Sequence, residues 1–276
     1  MYKIFIFNIY LFYCCHFPWK TLQVITISFV NNNVVYTQSG ITIMTRIIEG
    51  VFGFQKRVFA EKEELFQKLG KGQSPLALFI TCSDSRINPN LLTQTEPGEL
   101  FILRNAGNLV PPHNHFSGAE EATVEYAIKH LGIRDIILCG HSKCGAMNGL
   151  IQSIMGLSNN DIMPAVTKWL SYATPIADDV RSKLNELSGD KLLNYTIERN
   201  VLQQVENLKT FPAVKDALDK NQLRIHSWVY QLETGEVIGY DSETDAFVSL
   251  DKVKRQKLAD HNRAETHTVH GSDISI

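Results

Sequence analysis

No long run of lysine and arginine occurs in these 276 residues, and the formal net charge is -2. A basic stripe able to follow a phosphate backbone is therefore missing, which sets nucleic-acid binding aside. Cysteine is scarce: the five, at 14, 15, 82, 139 and 144, are too few and too unevenly spread to be a disulfide framework. They read as free or metal-bound thiols in a reducing compartment. No uninterrupted apolar stretch reaches the roughly 20 residues of a membrane helix, since "IFIFNIYLFYCC" is cut short by His16 and Pro18. Internal repeats and low-complexity linkers are also missing. What is present, 44% hydrophobic and 20% charged residues, describes an ordinary globular chain with a sizeable core.

Residues 1–43 differ in kind from the rest, holding Lys3 and Lys20 but no Asp, Glu or Arg. Two readings stay open for this apolar N-terminal extension: a mis-assigned start, with translation beginning at Met44, or a targeting segment. As a signal peptide it is poor, because "CCHFPWK" lacks small residues at a cleavage site. Residues 44–245 read as one domain, and 246–276 as a loosely packed polar tail.

Within 45–70, apolar residues recur at three- and four-residue spacings, which predicts amphipathic helix with a break at Gly53. "LALFIT" (76–81), "ELFILR" (99–104) and "DIILC" (135–139) read as strands buried on both faces. Ser117 and Glu120 form a capping box for a helix that ends at Gly132. Further helices are expected from "CGAMNGLIQSIM" and over 190–208 and 212–220, with two strands around Thr234-Gly235. This alternation predicts an α/β fold, a mostly parallel central sheet with an antiparallel edge strand, flanked by helices.

Ligands of such sheets sit beyond the carboxyl ends of the strands. Two strand ends here carry metal-ligand types: Cys82 and Asp84 after the first, His141 and Cys144 in "CGHSKCG" after the third. Two thiolates, an imidazole and a carboxylate suit tetrahedral Zn2+ better than Mg2+ or Ca2+. Buried structural thiols remain the alternative reading of Cys82 and Cys144. Cys139, inside its strand, reads as core, His113 and His115 as surface residues, and His226 as structural. Asp84 stands two residues before Arg86, so on extended backbone the two can pair and draw the carboxylate off the metal. That leaves room for water, whose pKa zinc lowers from about 15.7 toward roughly 7. Thiolate donation makes the lowering less complete, so activity is expected to rise above neutral pH.

"CSDSR", "EPGELFILRNAGN" and "HSKC" together resemble the β-class carbonic anhydrases, and residues 44–240 resemble the bacterial, cyanobacterial-type branch throughout. The resemblance implies reversible hydration of CO2 to bicarbonate and a proton by zinc-bound hydroxide. It implies one Zn2+ per subunit on Cys82, His141 and Cys144, with Asp84 as fourth ligand only in a closed state. It further implies an Asp84–Arg86 dyad and a homodimer or higher even oligomer; the charge balance and the short apolar run point to no nucleic acid and no membrane partner. Backbone N–H groups near Gly145 would steady bicarbonate oxygens. Phe79 and "RNAGN" stand where the bicarbonate-inhibited branch has Trp and "RNVAN", so the open form is expected. Lys143 stands where close relatives often have His, which weakens a proton-relay role there. The expected location is the cytoplasm. "GSDISI" is similar to carboxysome-linked extensions, which makes that compartment the minority alternative. The readings held against this one are hydrolysis of another cumulated substrate such as carbon disulfide, a cysteine hydrolase, and a non-catalytic zinc-stabilised binding module.

Overall fold

The computed structural model describes residues 6–9, 23–30, 33–40, 43–114, 118–157 and 162–252, with side chains from residue 43 onward. Two compact units divide near Gly72. In the first, β1 (Ile6–Ile9), β2 (Gln23–Val30) and β3 (Asn33–Gly40) form an antiparallel sheet in the order β1-β2-β3. Helix α1 (Ile43–Gly53) then runs into a wider π-helical turn, Phe54–Val58, followed by α2 (Phe59–Glu61) and α3 (Glu63–Leu69). The break expected at Gly53 is a local widening, because Gly53 keeps helical dihedrals. Phe59 stacks on Phe66 and Phe54 meets both edge-on, while α1 buries none of its residues.

The second unit is built on a six-stranded sheet ordered β5-β4-β6-β7-β8-β9. Its strands are β4 (Ala77–Cys82), β5 (Leu100–Asn105), β6 (Asp135–His141), β7 (Arg224–Tyr230), β8 (Val237–Asp241) and β9 (Ala246–Ser249). The first four run parallel, and β8 and β9 add antiparallel at one edge. The mixed α/β sheet expected from the sequence is thus present. Between the strands lie α4 (Pro89–Thr93), α5 (Gly118–Lys129), α6 (Gly145–Ile154), α7 (Pro164–Leu170), α8 (Ala177–Ser182), α9 (Gly189–Lys209) and α10 (Pro212–Asp219).

Three readings need correction. β5 is an edge strand with Ile102 exposed, not buried on both faces, since apolar composition cannot say which strand lacks a neighbour. β9 falls inside the supposed polar tail: pairing with β8 supplies its backbone hydrogen bonds and carries the ordered sheet past residue 245. The segment 164–182, given no structure above, is helical, with α7 beginning at Pro164, where the missing N–H costs nothing. The capping-box Ser117 lies outside the described residues.

The main core lies between one sheet face and the helices, with Leu78, Ile80, Ile136 and Leu138 fully buried against Val201, Leu208 and Val214. Burying each such side chain contributes roughly 1.5–3 kcal/mol. Helix α9 packs so closely on β6 that a Cβ at Gly140 would stand 2.8 Å from Val201 Cγ2 and 3.2 Å from Ile197 Cγ2. Gly140→Ala is therefore expected to destabilise the fold by about 1–3 kcal/mol through overpacking, measured as the urea midpoint at unchanged m-value. An unchanged midpoint would mean that the two elements separate freely. At the opposite end of these strands, Arg224 grips Asp135 through two hydrogen bonds and His226 Nε2 lies 2.8 Å from the same carboxylate, so His226 is structural.

Candidate metal centre

Strand β4 lies between β5 and β6, so the chain leaves its carboxyl end to one side and later returns on the other. Such a switch point opens a crevice at the strand ends. Cys82 closes β4 and His141 closes β6 one strand away, while Cys144 caps α6 two residues past Ser142. The ligand atoms of Cys82, His141 and Cys144 all lie within 4.8 Å of one another, and all three residues are buried. Asp84 Oδ2 stands 3.8 Å from His141 Nε2.

The fit to a metal can be tested on the donors themselves. His141 Nδ1 donates to the Ser142 carbonyl at 2.8 Å, which leaves Nε2 as the lone-pair nitrogen. That Nε2 is buried without a hydrogen-bond partner, a costly state unless something else accepts its lone pair. The Cys82 thiol is lowered, foremost because the Cys144 thiol donates to it, against the opposing effect of burial, with the neighbouring His141 ring and the Gly107 N–H at 3.3 Å adding to the lowering. Cys144 is raised by the same bond and by burial. A cation beside the two sulfurs would favour the thiolate form of both. A buried imidazole nitrogen without a hydrogen-bond partner, within 4.8 Å of two sulfurs, fits zinc. By contrast, burial pushes Cys139 up to about 12, and it hydrogen-bonds only backbone, as a core thiol does.

Both Asp84 oxygens are taken by Arg86: Nε donates to Oδ1 at 2.9 Å and Nη2 to Oδ2 at 2.7 Å, with the Arg86 backbone N–H adding a bond to Oδ1 at 3.0 Å. These bonds hold the Asp84 carboxyl well below the usual carboxylate range. The Arg86 guanidinium also donates to the Lys143 carbonyl at 3.1 Å, tying the first motif to the second. Lys143 turns its ammonium to Asp190 at 2.5 Å and to Glu233 at 3.7 Å. Gly145 opens α6, and a Cβ there would meet nothing within 4 Å, so its backbone is approachable. His113 lies 2.7 Å from Glu121, away from the three ligand residues, and His115 is outside the described residues.

One supporting residue escaped the sequence reading. Arg104 donates to the Cys82 carbonyl at 3.0 Å and to the Asp84 carbonyl at 2.7 Å, and so fixes the turn that presents both side chains. Its signal was an arginine at the end of an otherwise apolar strand.

The family model described as carbonic anhydrase matches residues 77–237. A carbonic anhydrase of Synechocystis is 42% identical over 206 residues, which cover 75% of this chain and 74% of that protein. The solved structure of the β-carbonic anhydrase CcaA matches with a TM-score of 0.72 at 42% identity, covering 75% of this chain and all of that one. A structure of two tetrameric β-carbonic anhydrases from Sordaria macrospora matches at 25% identity and a TM-score of 0.64, over 71% of this chain and 95% of that one.

Proposed function

Because the chain belongs to the β-carbonic anhydrase family, we propose that Cys82, His141 and Cys144 hold one zinc ion per subunit and that Asp84 and Arg86 govern the water beside it. Its reaction is the reversible hydration of CO2 to bicarbonate and a proton. The observation that carries the metal assignment is the convergence of the buried His141 Nε2, which has no hydrogen-bond partner, with the Cys82 and Cys144 sulfurs within 4.8 Å of one another. When bound, zinc supplies a Lewis acid that makes water acidic enough to yield hydroxide near neutral pH.

The protein groups then have separate tasks. Asp84, locked by Arg86, accepts a hydrogen bond from the reacting water and turns a lone pair toward CO2. N–H groups around Gly145, at the start of α6, steady the oxygens on which bicarbonate charge develops. Neither carbon disulfide hydrolysis nor a non-catalytic zinc module finds support in the site or its relatives, and a cysteine nucleophile would leave the Asp84–Arg86 pairing without a task.

Among the described residues no helix is long and apolar enough to cross a membrane. Free Cys82, Cys139 and Cys144 support a reducing compartment, for which we take the cytoplasm. The tetrameric β-carbonic anhydrases of Sordaria macrospora support a homo-oligomer, an even one by our reading. The deciding experiment joins stopped-flow CO2 hydration to metal analysis on one preparation. About one zinc per chain with activity rising above neutral pH is expected. The same zinc content with no hydration above about pH 8 would remove the enzyme assignment.

A further inference from the structure

Helix α9 carries Asn200, Gln204 and Asn207 at the i, i+4, i+7 spacing of one face, and that face points inward: the three are 1%, 0% and 5% exposed. Amides buried so deeply need partners, and theirs lie across the chain in the turn after β5. Asn200 Nδ2 donates to the Gly107 carbonyl at 3.1 Å. Gln204 Oε1 accepts from the Val110 N–H at 2.8 Å, and Asn207 Nδ2 donates to the Val110 carbonyl at 2.9 Å. The amides also bond one another, Gln204 to Asn200 at 3.0 Å and Asn207 to Gln204 at 3.1 Å, so they act as one ladder.

The turn they hold is pinned from other sides as well. Trp169 Nε1 donates to the Ala106 carbonyl at 2.7 Å, and the Asn105 side chain bonds both the N–H and the carbonyl of Leu109. Gly107 has φ of 78°, and a Cβ there would stand 2.9 Å from Ala146 Cβ, so the turn also lies hard against the start of α6. The Gly107 N–H shares its peptide plane with the Ala106 carbonyl that Trp169 holds, and Asn200 holds the carbonyl of the next plane, so both planes flanking Gly107 are fixed and its N–H is aimed at Cys82 Sγ, 3.3 Å away.

We propose that the Asn200–Gln204–Asn207 ladder is a positioning device for the metal centre, holding the 106–110 turn so that the Gly107 N–H fixes the Cys82 sulfur in its ligating place. This rests on Cys82 being a zinc ligand. The three residues touch neither metal nor substrate and act through the turn. A ladder that served only to fill the interior would affect global stability and leave the metal–sulfur bond as it was.

The test compares the parent holoenzyme with Gln204→Met, similar in length but unable to join the ladder, and with Trp169→Phe, which removes the Ala106 bond from the half-exposed side of the turn. Zinc release to a chromogenic chelator and the thiolate-to-metal charge-transfer absorption of the Co2+-substituted enzymes are measured. Gln204→Met is expected to release zinc about tenfold faster, in the 10- to 100-fold range of outer-shell substitutions. Its charge-transfer band should shift, and kcat should fall more than KM changes. Trp169→Phe, which frees the carbonyl on the Gly107 N–H peptide plane, is expected to move each readout the same way, and Asn207→Ser, which removes the outer rung of the ladder, answers the question if Gln204→Met does not fold. Parent-like zinc release and band position in a folded variant, even one with a lowered unfolding midpoint, would overturn the proposal. Cys82→Ser measured alongside separates the premise: if it keeps full zinc, the ligand assignment fails and the proposal with it.

Discussion

Cys144→Ala is expected to be purified with no more than about a tenth of the parent's zinc, and its CO2 hydration should fall by more than the 10–100-fold that loss of an outer-shell partner costs. The reasoning is geometric. Three buried donors converge within 4.8 Å, and each comes from a different fixed element: the end of β4, the end of β6 and the cap of α6. No other described cluster of His, Cys, Asp or Glu offers a replacement ligand set. Removing one sulfur leaves two of the three converging donors. Cys82→Ala and His141→Ala should behave alike, with far-UV circular dichroism unchanged. Full metal and full activity in any of the three would strike that residue from the ligand set.

Asp84→Ala is expected to differ in kind, keeping zinc at the parent level while kcat/KM drops by about 10²–10³, the cost typical of losing one preorganised polar group at a reacting centre. That loss corresponds to roughly 3–4 kcal/mol of transition-state stabilisation. The separation of metal content from rate follows from the Arg86 bonds that occupy both carboxylate oxygens. Because those bonds depress the folded-state pKa of Asp84, the pair's contribution is present above the ordinary carboxylate pKa and is lost only in strong acid. The alkaline rise in activity should therefore persist with unchanged midpoint in Arg86→Lys, whose rate falls because one donor group replaces a fork. Equal loss of zinc and rate in Asp84→Ala would instead make Asp84 a standing ligand.

Much of this was legible in the chain. Thr81, at the foot of the first motif, shows where legibility stops. It reads as a polar residue ending an apolar run, yet it is buried in the sheet and donates to the Cys139 carbonyl on β6 at 2.8 Å. Cys139, by contrast, was readable as core because it lies inside the apolar strand run "DIILC". Arg104 and Arg86 are both arginines near the motif, but only Arg86 is close enough in sequence for backbone geometry to place it beside Asp84. Arg104 reaches the same turn only because β5 lies beside β4.

By itself the sequence presented two local pairs of metal-ligand residue types, Cys82 with Asp84 and His141 with Cys144, the Asp84–Arg86 spacing and the alternation of strands and helices, since each is set by residues within a few positions of one another. Strand period, helix period and strand-end motifs are local properties of the chain. The tertiary structure alone decided that β5 is an edge, that β9 extends the sheet, and that Asn200, Gln204 and Asn207 face inward to the turn beside Cys82. A polar stripe on a helix looks the same in sequence whether it meets water or a buried turn. Only the partners, brought in from nearly a hundred positions away, settle which it is.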